Sequence, residues 1–135
     1  MIVVDTSALI AILFGEPEAD ELRGCIAGAT ARVMSAANFV ELGTVIAGRS
    51  GPGNAQAVLA CERLLAAADI TIAPITADLA RQALHARIRF GRGFSHRARL
   101  NFGDCFAYAL AKSLYAPLLF IGDDFPHTDI RPALC

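Results

Sequence analysis

The sequence predicts an α/β fold in which a mostly parallel sheet of four to five strands is covered by helices on both faces. Short apolar segments alternate along the chain with longer segments of helical character, and strands joined through helices usually pair in parallel. The 135 residues contain no repeat and no linker long enough to separate two domains. We therefore expect a single domain over residues 1–135.

Each predicted strand is a short apolar segment, which is typical of strands buried on both faces. The first, Ile2-Val3-Val4, is β-branched throughout and ends at an acid. The last predicted strand is the weakest, because it follows a turn over 122–128 directly. In chain order the predicted strands are 2–4, 31–34, 70–73, 118–121 and 129–131.

The predicted helices are bounded by capping residues, glycines and one proline. Thr6 and Ser7 are N-cap candidates for the first helix, which Gly15 ends. Pro17 is expected as the first residue of the second helix. Ser35, Thr76 and Asn101 are the N-cap candidates of later helices, and Asn101 with Asp104 has the spacing of a capping box. In chain order the predicted helices are 7–14, 17–28, 36–48, 55–68, 77–90 and 102–115, with a break at 51–54 and a loop at 91–99.

The composition favours a soluble, cytoplasmic protein without a membrane segment. Hydrophobic residues make up 55% of the chain, yet Glu41 and Asp69 interrupt long apolar stretches, and no run approaches the roughly 20 residues that span a bilayer. The first residues lack a basic leader, so no signal peptide is expected. The four cysteines lack the close spacing of zinc ligands, and we interpret them as small hydrophobes.

Five acids lie at strand ends, near a helix start or in apolar surroundings, where a carboxylate usually has a specific structural or functional role. Asp5 follows the first predicted strand, and Asp123 and Asp124 follow the fourth. Glu41 lies in a helix that is apolar on most sides, where an unpaired charge is costly. Asp104 lies near a helix start among core-like residues. The ordinary alternatives are helix capping for Asp5 and Asp104, a turn for the Asp pair, and solvent or an arginine partner for Glu41.

Together these acids predict a metal-dependent hydrolytic site. Carboxyl ends of parallel strands lie at one edge of a sheet, where ligands gather. Carboxylates in one pocket repel each other, and all-oxygen ligands suit Mg²⁺ or Mn²⁺ rather than Zn²⁺. The three histidines have no zinc-type spacing and are interpreted as surface or substrate-facing residues. A divalent cation lowers the pKa of water and neutralises charge on phosphorus, so the expected chemistry is phosphodiester hydrolysis.

In their order along the chain, these motifs resemble those of PIN-domain ribonuclease toxins of the VapC type. The motifs are Val3-Val4-Asp5-Thr6-Ser7-Ala8-Leu9, Glu41 in a central helix, Leu100-Asn101-Phe102-Gly103-Asp104-Cys105 and Leu118-Leu119-Phe120-Ile121-Gly122-Asp123-Asp124-Phe125. The resemblance covers essentially the whole chain. It implies a three-layer α/β/α domain and a Mg²⁺- or Mn²⁺-dependent endoribonuclease that cuts transfer or ribosomal RNA.

The resemblance also implies roles for individual residues. Asp5, Glu41 and Asp104 match the first three acids of the family, and Asp5 and Asp104 are the expected direct metal ligands. Glu41 is expected to bind a second metal, hold a water of the metal or accept a proton. The fourth acid is Asp124 or Asp123. Asp124 fits the family pattern better, and only one of the two can face the pocket if the strand continues. The expected supporting residues are Thr6, Ser7 and Asn101.

The family implies several macromolecular partners. An antitoxin protein blocks the site, the toxin forms a homodimer, and operator DNA is bound only through the antitoxin. Six of the twelve basic residues lie within 81–99, and this cationic segment suits a polyanion or an acidic partner. We predict that it contacts RNA or antitoxin, with Phe90 and Phe94 available for base stacking. A solvated basic face is the alternative. The arginines concerned are Arg87, Arg89, Arg92, Arg97 and Arg99.

Two other catalytic classes fit the residues poorly. A phosphatase of the haloacid-dehalogenase type needs a second Asp two residues after the first, where Ser7 stands. A receiver domain needs its acceptor Asp on a middle strand, where the segment 70–73 ends at Pro74. The alternative from a different class is a non-catalytic PIN-like module that binds RNA or a protein, and the complete set of acids argues against it.

Overall fold

The fold is built on a sheet of four parallel strands, as the sequence predicted. The structure is a computed structural model that describes residues 1–50, 55–94 and 97–134. The strands are β1 (Ile2–Val4), β2 (Arg32–Ser35), β3 (Thr71–Ala73) and β4 (Leu118–Leu119). They lie in the order β3-β2-β1-β4, and every pairing is parallel. The first strand is therefore central, and the acid that follows it lies at the middle of the sheet's carboxyl edge.

The described ranges contain six α-helices that connect the strands, and their bounds lie close to the predicted ones. They are α1 (Thr6–Leu13), α2 (Ala19–Gly28), α3 (Ala36–Ser50), α4 (Ala55–Ala67), α5 (Ala77–Phe90) and α6 (Phe102–Ser113). Within the described ranges a 3₁₀ helix at Phe125–His127 follows β4. None of the helices in these ranges is both long and apolar enough to cross a membrane. The predicted break at 51–54 falls outside the described residues.

The helices cover both faces of the sheet, which confirms the three-layer prediction. Alternate residues of a strand point to opposite faces, and neighbours in β1 and β4 accordingly enter different cores. Val3 and Leu118 pack with α5 and α6, whereas Val4 and Leu119 pack with α1 to α4. These four side chains are fully buried. The apolar strand segments therefore reflect burial on both faces rather than on one.

Two of the predicted helix starts are wrong. Asp5, rather than Thr6 or Ser7, is the N-cap of α1, because its carboxylate accepts a hydrogen bond from the backbone N–H of Ser7 at 3.0 Å. This is the capping role that the sequence offered as the ordinary alternative for Asp5. Pro17 lies in the turn before α2, which begins at Ala19. Both errors arise at residues that have more than one locally acceptable position.

Other capping predictions are confirmed. Thr76 caps α5 by accepting a hydrogen bond from the N–H of Leu79 at 3.1 Å. Asn101 and Asp104 form a complete capping box at α6, with bonds of 2.8 and 2.9 Å between side chain and backbone in both directions. Because these signals act within one turn of chain, the sequence is sufficient to locate them.

The end of the chain departs from the prediction of strands at 118–121 and 129–131. The fourth strand stops at Leu119, and the later segment forms an isolated bridge between Leu118 and Pro132 instead of a fifth strand. Leu118 donates its N–H to Arg131 O at 2.8 Å and accepts from the N–H of Ala133 at 2.8 Å.

The cysteines that the structure describes are consistent with the interpretation as small hydrophobes. Cys61 and Cys105 are buried and free, and Cys25 is partly buried, with its Sγ 3.7 Å from Ala133 O. Burial raises the pKa of the Cys105 thiol to about 11, so this thiol is unreactive at neutral pH. Cys135 lies outside the described residues.

Candidate active site

Asp5 occupies the centre of the carboxyl edge of the sheet. Its backbone N–H bonds to Leu119 O at 2.9 Å, which continues the pairing of β1 with β4. Its side chain is buried, with 3% exposure of the residue. The Oδ2 atom accepts hydrogen bonds from Ser7 N–H at 3.0 Å and from Ser7 Oγ at 2.6 Å. The Oδ1 atom is buried and has no hydrogen-bond partner among the described residues.

The environment of Asp5 disfavours its negative charge. Burial raises the pKa of Asp5 from 3.8 to about 6, and the nearby charge of Glu41 adds to this rise. The two hydrogen bonds from Ser7 act in the opposite direction, because they stabilise the carboxylate. A buried carboxylate with one oxygen left unpaired is costly unless a cation or donor completes it.

Asp104 shares this electrostatic environment from the first turn of α6. Burial is the largest cause that raises the pKa of Asp104 to about 7. The charges of Asp5, Glu41 and Asp124 raise it further, whereas the backbone N–H of Asn101 lowers it. Acids from four separate segments of the chain therefore lie close enough to repel one another.

Glu41 reaches the same place from α3. It is half-buried, and its Oε1 accepts a hydrogen bond from Asn38 Nδ2 at 3.3 Å. The same Nδ2 donates to Gly103 O at 3.0 Å. A Cβ at position 103 would overlap the Glu41 carboxylate. The glycine beside Asp104 therefore allows the carboxylate of α3 to lie against the backbone of α6.

The paired acids after β4 differ in their surroundings. Asp124 is half-buried, and its charge acts on Asp104. Asp123 is exposed. The expectation that one of them faces away was based on a continuing strand, but β4 ends at Leu119, so strand alternation does not decide between them. The electrostatic link to Asp104 is what favours Asp124.

The expected supporting residues act in three different ways. Ser7 orients Asp5 and also accepts a hydrogen bond from the N–H of Ile121 at 3.0 Å, so its hydroxyl joins α1 to the segment after β4. Thr6 is buried and donates to Asn38 O at 3.1 Å instead of bonding the acid. Asn101 caps α6, and its backbone N–H donates a hydrogen bond to the carboxylate of Asp104.

The site fits a divalent cation that draws only part of its ligands from the protein. Among the described residues, no three His, Cys, Asp or Glu side chains converge closely enough to hold an ion by themselves. Magnesium commonly takes one or two carboxylates and completes its octahedron with water and phosphate oxygens. The unpaired Oδ1 of Asp5 supplies a suitable oxygen ligand. The ion pairs formed by the described side chains involve none of the four acids.

The basic segment contains exposed arginines and one that is half-buried. Arg92, Arg97 and Arg99 are exposed. Arg87 is half-buried and donates from Nη1 to Arg92 O at 2.9 Å, which helps to shape the segment. Arg89 is exposed and lies over a ring, with its guanidinium carbon 4.5 Å from the centroid of Phe90.

The prediction that Phe90 is available to stack on a base is wrong. Phe90 is 9% exposed and packs in the core against Tyr108, with ring centroids 5.4 Å apart. Phe94 is 64% exposed and remains accessible. His96 lies outside the described residues, whereas His85 and His127 are exposed as expected.

Sequence reasoning missed the importance of two residues. Asn38 lies three residues before Glu41 on the same helix and was assigned no role, yet it is fully buried and contacts another helix. Gly103 was noted only as part of a motif. The available signal was an amide three residues before an acid in an apolar helix, and a glycine directly before a second acid.

Sequence comparison gives consistent results along the chain. The model of the PIN domain family matches residues 2–131. Ribonuclease VapC42 of Mycobacterium tuberculosis is 46% identical over 131 residues, which are 97% of this chain and 98% of that protein. Ribonuclease VapC of Mycolicibacterium smegmatis is 46% identical over 129 residues, which are 95% of this chain and 96% of that protein.

Comparison with solved structures shows the same fold. VapC20 of Mycobacterium tuberculosis, a toxin that cleaves the sarcin-ricin loop, aligns with a TM-score of 0.72 at 22% identity and covers 98% of this chain and 100% of its own. A chain of VapBC2 from Rickettsia felis, bound to a promoter DNA fragment, aligns with a TM-score of 0.71 at 14% identity, over 98% and 96% of the two chains. The sequence match over nearly the full length and the shared fold lead to one conclusion: this chain belongs to the PIN-domain family, in its VapC group.

Proposed function

We propose that this chain is a Mg²⁺- or Mn²⁺-dependent endoribonuclease and the toxin of a toxin–antitoxin pair. The main support for this proposal is the buried Asp5, whose Oδ1 has no hydrogen-bond partner among the described residues and whose charge interacts with those of Glu41 and Asp104. Such a cluster is unfavourable without a cation, and a cation in an all-carboxylate pocket is suited to phosphodiester hydrolysis. The names of the relatives, which are ribonucleases, support this assignment.

Asp5 and Asp104 are the proposed metal ligands, with Asp124 as the fourth acid. Ser7 occupies Oδ2 of Asp5 with two hydrogen bonds and leaves Oδ1 for the cation. The capping box restrains Asp104, because its carboxylate is bonded to the backbone of Asn101. When bound, the divalent cation lowers the pKa of water and neutralises charge that develops on the phosphoryl group. Asp5 and Asp104, whose pKa values are raised, thus cost stability without the cation and contribute to its binding.

Glu41 is the proposed acceptor of the proton that the attacking water loses. Its carboxylate is held by Asn38 and lies against Gly103, at the wall of an open cleft of about 400 Å³. That volume is within the range of ligand pockets. Glu41 is the acid that lines this cleft, and the other lining residues belong to α3 and the start of α6, which gives a substrate strand space beside Glu41.

The proposed partners are an RNA substrate, of the transfer or ribosomal class, and a cognate antitoxin protein. The exposed arginines of the basic segment support contacts to phosphates, which position a strand without specifying its sequence. We propose a homodimer, with operator DNA bound only through the antitoxin. Apolar side chains exposed on α5 and α6 support a protein-binding surface. They include Leu84, Ile88 and Phe102, which are 59%, 54% and 72% exposed.

The proposal is tested by cleavage of total RNA with the purified chain and mapping of new 5′ ends. We expect cleavage at few sites in Mg²⁺ or Mn²⁺, none in EDTA, and loss of at least about 100-fold in Asp5→Asn and Asp104→Asn. Asp20→Asn is the matched control, because Asp20 is an exposed acid that pairs with Arg23 on α2. Cleavage that persists in EDTA or in both variants would refute the metal-dependent reaction. RNA binding without any cleavage would favour the non-catalytic module.

A further inference from the structure

Asn38 connects three segments of the candidate site and has no role in the proposed reaction. Its side chain is fully buried on α3. The Nδ2 group donates to Glu41 Oε1 at 3.3 Å and to Gly103 O at 3.0 Å. Its backbone carbonyl accepts a hydrogen bond from Thr6 Oγ1 at 3.1 Å. One residue thus contacts α1, its own helix and α6.

The chemistry of these contacts requires an amide. Both side-chain partners of Asn38 are acceptors, a carboxylate and a backbone carbonyl. Only an NH₂ group offers one hydrogen to each, so the orientation of the amide is determined by its partners. An Asp of the same shape would place a further negative charge against Glu41, and a Ser has a single hydrogen to donate.

The contacts of Asn38 each reach a segment that carries a proposed catalytic acid. The side chain holds one acid directly, and the other two contacts reach the residues next to an acid in the chain. The acids reached in this way are Asp5, Glu41 and Asp104. We propose that Asn38 is a positioning residue that sets where the Glu41 carboxylate stands relative to the two metal-binding acids. This inference rests on the proposed nuclease function.

The Oδ1 atom of Asn38 makes it possible to distinguish a positioning role from a purely structural role by experiment. It is buried and has no hydrogen-bond partner among the described residues. A buried polar atom without a partner costs stability, so a leucine of the same shape avoids that cost while it removes the donor. A residue that served only packing would be replaced by leucine with little effect on catalysis.

The test measures activity, RNA affinity and stability of Asn38→Leu in the full chain. We expect kcat on a fluorogenic RNA to fall about 10- to 100-fold, as for removal of supporting hydrogen bonds at metal sites. KM should stay within about twofold. RNA affinity measured in Ca²⁺ should match the wild type, and the variant should remain folded at the assay temperature, because removal of the unpaired Oδ1 offsets part of the loss of the two hydrogen bonds. Gln56→Leu is the matched control, because Gln56 is an exposed amide on α4 that belongs neither to the candidate site nor to the segment 81–99.

Several outcomes would overturn the inference. A kcat of Asn38→Leu within about twofold of the wild type would do so, as would a parallel loss of RNA affinity. If Asn38→Leu does not fold, Asn38→Ser is measured at a temperature where it is folded, and a wild-type kcat there overturns the inference. Failure of both variants to fold would make Asn38 a folding residue and overturn it too. A wild-type chain that cleaves no RNA instead refutes the proposed function.

Discussion

Replacement of Asp5 by asparagine should stabilise the metal-free protein at neutral pH. Burial raises the pKa of Asp5 from 3.8 to about 6, so the folded state binds the Asp5 proton more tightly than the unfolded state does. Stability therefore falls as the pH rises between these two values, and the cost is complete above the folded pKa. Asparagine cannot ionise, and its oxygen can still accept from Ser7.

The magnitude follows from the size of the shift. A rise in pKa from 3.8 to about 6 corresponds to about 3 kcal/mol of unfolding free energy at pH values above the folded pKa. This is an upper bound for the variant, because the new NH₂ group must find acceptors where Oδ1 had no partner. We expect about 1–3 kcal/mol, which for a domain of this size is a rise of about 4–11 °C in melting temperature.

The assay is thermal unfolding of both proteins in EDTA at several pH values. The difference between Asp5→Asn and the wild type should be largest above about pH 7 and should vanish below about pH 3, where the carboxyl is protonated in both the folded and the unfolded state. Excess Mg²⁺ should raise the melting temperature of the wild type and narrow the difference, since only the wild type retains the full ligand set. Asp20→Asn, in an exposed pair with Arg23, should change neither value by more than about 1 °C.

Two results would refute the reasoning. One is a variant that is less stable than the wild type in EDTA at about pH 7.5, which would mean that the buried charge of Asp5 does not lower the stability of the folded protein. The other is a stability difference that does not change with pH, which would mean that it arises from packing or hydrogen bonding rather than from ionisation.

Three further predictions concern the neighbours of the acids. Ser7→Ala should lower stability by about 1–3 kcal/mol in urea unfolding, because the N–H of Ile121 and the carboxylate lose their shared hydroxyl partner; an unchanged midpoint would show that water replaces it. Gly103→Ala should reduce kcat at least about tenfold with a folded far-UV spectrum, because the new methyl group displaces Glu41; full activity would contradict this close approach. Asn101→Ala should cost about 1 kcal/mol in thermal unfolding through loss of the α6 cap, and Asn101→Gly should cost less.

Local signals explain why so much of the fold could be predicted. The capping box of Asn101 and Asp104 acts within one turn of helix, and the sequence shows both partners. The apolar strands are recognisable because burial on both faces leaves no polar alternation. Where two local solutions were equally acceptable, as at Pro17 or between Thr6, Ser7 and Asp5 for the cap of α1, the prediction chose the wrong residue.

The sequence by itself determined which acids are candidates for the site, where most of the strands and helices lie, and which family the chain resembles. Only the tertiary structure decided that Ser7 reaches Ile121, that Asn38 reaches Gly103, and that Phe90 is buried. The pKa of Asp5 also depends on the folded structure, because its desolvation comes from segments that are distant in the chain. The physical reason is that propensity and capping act over a few residues, whereas burial and the repulsion between carboxylates depend on distances in space that exist only after the sheet and helices pack.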